Sequence, residues 1–169
     1  MNHSQIADEL RRASRATLLG VMAAAVMTVF MWIGALPHMP AALEPFPLLL
    51  TRHIWPRMAP LPIALLTSIG HFAYGAAAAV LFSFLARPMS VGRGLAFSVV
   101  LWALMQGMFV PGLLGGMEFS FGLGHGHWLF SGFTLALHLS YGVTLGLLGA
   151  RDESVHHAHF DELARLRVE

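Results

Sequence analysis

The chain has 169 residues, of which 56% are hydrophobic and only 11% charged, and its mean hydropathy is +0.65. So apolar a chain cannot close as an ordinary water-soluble domain and reads as an integral membrane protein. Ten arginines and no lysine against nine acids leave a net charge of +1, too weak a field to grip nucleic acid, and zero cysteines exclude disulfides, thiolate metal sites, iron–sulfur clusters and thiol catalysis.

In chain order, residues 1–16 form a helical, amphipathic lead into the first of four apolar runs. The runs cover residues 17–36, 62–86, 95–114 and 128–150 and contain no Asp, Glu, Lys or Arg. Each meets the roughly 20 residues needed to cross ~30 Å of hydrocarbon as a helix, and none alternates with the period of two that a barrel strand requires. The first run continues bulky and apolar to Leu36, which is not the pattern of a cleaved signal peptide. Between the first two runs, Pro37, Pro40, Pro45, Pro47, Pro56 and Pro60 forbid one regular helix. The apolar stretch 46–50 and Trp55 read there as a loop resting at the membrane interface. After the last run, Val155, Phe160, Leu163 and Leu166 place an apolar stripe on the tail 151–169, which is either a solvated helix or one lying on the inner membrane surface.

Arginine placement sets the orientation, because positive charge is retained in the cytoplasm. Arg11, Arg12, Arg15, Arg87, Arg93, Arg151, Arg165 and Arg167 fall on one side and only Arg52 and Arg57 on the other. Both termini are therefore expected in the cytoplasm, with 37–60 and 115–127 outside.

An internal repeat organises the spans. Thr67-x3-His71-x2-Tyr74-Gly75 in the second recurs as Thr134-x3-His138-x2-Tyr141-Gly142 in the fourth. Gly20 and Pro37 are 17 residues apart, as are Gly94 and Pro111, a register that aligns Met31 with Met105. The expected fold is all-α, a four-transmembrane-helix bundle built from two tandem two-helix hairpins. An even number of spans per copy gives both the same orientation and puts the pseudo-twofold axis along the membrane normal.

A Gly-rich first span with Met27-Thr28, a proline at its outer end, and His-x-x-Tyr-Gly in the second and last spans resemble the YagU-like small bacterial inner-membrane proteins of unknown function. The resemblance covers most of residues 17–150. It implies a multi-pass location in the bacterial inner membrane and supplies no activity.

His71 and His138 fall near the centres of their spans, where ionisable groups are costly and usually face the bundle interior. Thr67, His71 and Gly75 share one helix face, as do Thr134, His138 and Gly142. Three readings stay open. Each histidine bonds a neighbouring Thr, Tyr, Gln106 or backbone carbonyl and fixes helix register, while Gly75 and Gly142 allow a close crossing. The pair ligates a b-type haem, with Gly75 and Gly142 leaving room for the flat macrocycle and Tyr74, Tyr141, Thr67 and Thr134 around it. Or the pair joins Met31 and Met105 in a copper or proton site.

Outside the spans, His125-x-His127 lies among glycines and can place two imidazoles on one zinc or copper ion, with His38, His53 or Glu118 completing the shell; interfacial histidines beside Trp128 are the plainer account. His156, His157 and His159 read as a solvated patch. No carboxylate lies within the spans, which argues against a coupled carrier and against a Ser-His-Asp hydrolase. The function expected is a non-catalytic module in the lipid bilayer, alone, as a homo-oligomer or as an accessory subunit of a larger membrane complex, with a haem-binding redox protein as the alternative.

Overall fold

A computed structural model of the chain describes residues 2–34, 46–109 and 127–166, and among these every regular element is helical. Helix α1 (His3–Gly34) opens on a reciprocal cap. The Asn2 side chain accepts from the Gln5 amide at 2.9 Å, and the Gln5 side chain accepts from the Asn2 amide at 3.0 Å, which satisfies two of the donors every helix start leaves over. Helix α3 (Pro60–Leu85) instead starts on proline, whose missing N–H has no partner to lose at that position. Helix α4 (Val91–Leu104) is capped by Ser90 and passes into one π-helical turn, Met105–Phe109. Helix α5 (His127–Leu166) continues unbroken beyond residue 150; its 40 residues give a length of about 60 Å.

The segment expected to be an interfacial loop contains a helix, α2 (Phe46–Ile54), which packs against α3. The sequence reading gave too much weight to its prolines. Pro47 sits in the first turn, where proline costs nothing, and the residues that follow carry no helix breaker.

Three stretches are long and apolar enough to cross a membrane: His3–Ile33, Pro60–Leu85 and Leu129–Asp152. Val91–Gly107 is a shorter apolar helix. Leu18, Val29, Leu61, Ile69 and Val100 lie exposed on the outer faces. That outward array of large apolar side chains is costly in water and suited to lipid.

The helices meet where side chains are smallest. α1 packs on α3, α4 on α5, and α1 on α5. A Cβ on Gly20 would fall 2.5 Å from the Gly75 carbonyl oxygen and 2.6 Å from the Ala79 Cβ, while one on Gly75 would fall 2.7 Å from the Ala24 Cβ. In the other pair, Cβ atoms on Gly94 and Gly142 would each strike the other's carbonyl oxygen, with Gly146 and Ser98 close by. Without a hydrophobic drive between helices in lipid, this backbone approach supplies the van der Waals contact that holds them. α3 and α4 are not closely packed along their length; they touch through Phe82 and Phe97, whose ring centroids are 5.1 Å apart.

Candidate functional site

The open seam between α3 and α4 leads to a cavity of about 370 Å³ at the middle of the bundle. Its wall is almost wholly apolar and draws on all five helices: Met27 and Met31 from α1, Leu50 from α2, Leu66 from α3, Leu101 from α4 and Leu137 from α5. His71 and His138 both line it, 4% and 3% exposed, and no acid or arginine does. Its exposed lining residues, Leu66, Gly70 and Tyr74 on α3 and Leu104 on α4, mark a mouth on the α3–α4 face.

The buried polar groups around the cavity are used up, with three exceptions. The Thr67 hydroxyl donates to Thr51 Oγ1 at 3.0 Å, and Thr51 donates to the Pro47 carbonyl at 2.8 Å. Thr134 donates to the Ser131 carbonyl at 3.1 Å while accepting from Trp102 Nε1 and Gln106 Nε2, each at 3.2 Å. Gln106 also donates to Ser131 Oγ at 3.1 Å. The Tyr141 hydroxyl donates to the Gly75 carbonyl at 2.6 Å and ties α5 to α3.

The exceptions are His71 Nε2, His138 Nε2 and Gln106 Oε1, which are buried and have no partner among the described residues. His138 Nδ1 lies 2.8 Å from the Thr134 carbonyl one turn back on its own helix, and the Ala24 backbone of α1 lies against the His71 ring. A carbonyl can only accept, so Nδ1 of His138 carries the hydrogen and that neutral ring presents a bare lone pair at Nε2. The nitrogen that is tied down fixes the orientation of the one that is not. Chemically the site offers two buried imidazole nitrogens without partners, that of His138 an oriented electron-pair donor, on the wall of an apolar cavity open at the α3–α4 seam, suited to a metal centre or to a ligand's O–H or N–H.

Among the residues singled out from sequence, Met31, Met105, Thr67, Thr134 and Tyr74 share this wall with the histidines. Gly75 and Gly142 do not. The space expected beside them for a macrocycle is filled by the crossing helices. Tyr141 is buried in the core, away from the wall. His125, His38 and Glu118 lie outside the described residues; His127 opens α5, and His53 lies exposed in the last turn of α2. No group of three His, Cys, Asp or Glu is gathered among the described residues. The sequence reading overlooked Gly70 and the contribution of α2. The signal for the latter was present in Pro47, Leu50 and Thr51, which at i, i+3 and i+4 share one helix face.

A family model matches residues 10–158. The chain belongs to DUF6789, a family of unknown function. The match spans every wall residue of the cavity, so the paired histidines lie within the DUF6789 region, and it carries no link to the YagU-like proteins. Neither the curated proteins nor the solved structures include a match.

Proposed function

We propose that this DUF6789 protein is a multi-pass protein of the bacterial inner membrane, with both termini cytoplasmic, and that it is a non-catalytic module whose central cavity binds a small ligand through His71 and His138. The observation that carries the reading is the pair of buried, unpartnered Nε2 atoms lining one apolar cavity. Leaving a buried acceptor without a bond costs about 1–3 kcal/mol. Two such atoms on one cavity wall are better explained by an occupant than by helix register, which at His138 the Nδ1 bond alone already serves.

The tandem-hairpin architecture is part of the same proposal. Aligning the repeats pairs Gly20 with Gly94, Ala24 with Ser98, Gly75 with Gly142 and Ala79 with Gly146. The contact of Gly20 with Gly75 and Ala79 then corresponds to that of Gly94 with Gly142 and Gly146, and the contact of Gly75 with Ala24 to that of Gly142 with Ser98. Matching contacts at matching positions support two copies of one hairpin, with residues 17–150 as the membrane domain and a cytoplasmic tail after it.

A second reading is favoured by Met31 and Met105, which line the same cavity as the histidines and would complete a soft, neutral set for Cu(I). The test is to purify the full chain in mild detergent and identify co-purifying small molecules and metals by native mass spectrometry and elemental analysis. The binding reading expects a stoichiometric occupant that is lost in both His71→Ala and His138→Ala. An empty wild-type protein whose melting temperature is unchanged by either substitution overturns it. A cytoplasmic reporter fused after Glu169 should be active, and activity only from a periplasmic reporter there reverses the orientation.

A further inference from the structure

We infer that the occupant of the cavity is a b-type haem, held between His71 and His138 and admitted from the lipid through the seam between α3 and α4. This rests on the binding reading above and adds the chemical class of the ligand.

The donor set narrows the choice first. His138 Nε2 is a lone-pair donor, because the hydrogen of that ring is committed to the Thr134 carbonyl, and His71 Nε2 is likewise buried without a partner among the described residues. A quinone or an ester lipid, which needs hydrogen donors for its carbonyls, finds none at His138 Nε2. An electron-pair acceptor does, and iron in a tetrapyrrole plane accepts one imidazole on each face. The volume narrows it further. A bare ion bound by two imidazoles would leave most of about 370 Å³ of apolar space unfilled, whereas a large flat hydrocarbon plane matches a wall of leucine and methionine. The orientation of the His138 ring is set in advance by its Nδ1 contact, the arrangement that holds metal-bound histidines in place.

The architecture also supplies a route. α1 and α5 pack together, but α3 and α4 do not close along the cavity, and the seam is bounded by the Phe82–Phe97 contact on one side and by α2 on the other. Gly70 lies in this mouth, exposed, and a Cβ placed on it meets nothing within 4 Å.

The experiment is titration of the detergent-purified, full-length protein with hemin, followed by absorption and electron paramagnetic resonance spectra. One equivalent should give a low-spin bis-imidazole spectrum with a sharp α-band on reduction. His71→Ala and His138→Ala should each lose it, and free imidazole added to either variant should restore it, a rescue that a structural role would not produce and that also shows the variant is folded. Gly70→Trp should slow uptake from haem-loaded vesicles. Absence of a low-spin spectrum in the wild type, or its persistence in both alanine variants, overturns the haem assignment. If a different organic molecule or copper co-purifies and is lost in both alanine variants, haem is overturned while the binding reading stands.

Discussion

The same nine-residue motif occupies two helices and meets two different fates. Tyr141 on α5 is 3% exposed and its hydroxyl closes onto the Gly75 carbonyl, whereas Tyr74 on α3 is 43% exposed at the mouth of the cavity. Thr134 sits at the centre of a network with Trp102 and Gln106, while Thr67 reaches only Thr51 of α2. The packing follows the same division, with α1 against α5 closed and α3 against α4 open. A repeated motif thus fixes which chemical groups reach the bundle centre. Their surroundings decide whether they seal a seam or line an opening.

The largest test of this contrast lies in the glycine crossings. Gly142→Ala should destabilise by about 3 kcal/mol, because its Cβ meets the Gly94 carbonyl, part of a backbone that cannot rotate away. Gly75→Ala should cost about half as much, roughly 1.5 kcal/mol, since the nearest atom is the Ala24 Cβ and the Gly20 carbonyl stands 3.2 Å off. Gly132→Ala, with nothing within 4 Å, should be neutral or stabilise by up to ~1 kcal/mol. Thermal melting in detergent ranks all three, and equal losses at Gly132 and Gly142 would remove the crossings from the account.

The threonines come next. Thr134→Val removes the shared acceptor of the Trp102 and Gln106 bonds, for about 2 kcal/mol, whereas Thr67→Val leaves Thr51 still bonded to Pro47 and should cost about 0.5 kcal/mol. Denaturation of the two variants side by side reads the difference, and a reversed order would mean that the α2 contact is the stronger clasp. The smallest effect separates the tyrosines. Tyr141→Phe should lose about 1 kcal/mol with its interhelical hydrogen bond, and Tyr74→Phe should stay within about 0.5 kcal/mol of the wild type. Equal melting temperatures for the pair would show the α3–α5 tie to be dispensable.

How much of the site was legible can be judged residue by residue. His71, His138, Met31 and Met105 could be aligned from spacing alone, because a helix converts sequence intervals into shared faces and depths. The role of Gly75 and Gly142 was only half legible: small residues mark a close approach, but whether a helix or a ligand approaches depends on a partner far along the chain. Gln106 shows the limit most plainly. It lies in the π-helical turn after α4, fully buried, where it reaches Ser131 and Thr134, and no local pattern announces that turn.

The sequence by itself determined that long apolar helices form, that two histidines recur at matching positions, and that glycines recur in register with them. These properties are local, set by hydropathy over some 20 residues and by a period of 3.6. Only the tertiary structure decided that α2 folds and joins the wall, that Gly20 meets Gly75 and Gly94 meets Gly142, and that the α3–α4 seam stays open. It also decided which imidazole nitrogen is tied to a carbonyl and which is left bare. Those outcomes depend on backbone atoms brought together from as many as 66 residues away, as in the Tyr141–Gly75 bond, and no interval along one helix encodes them.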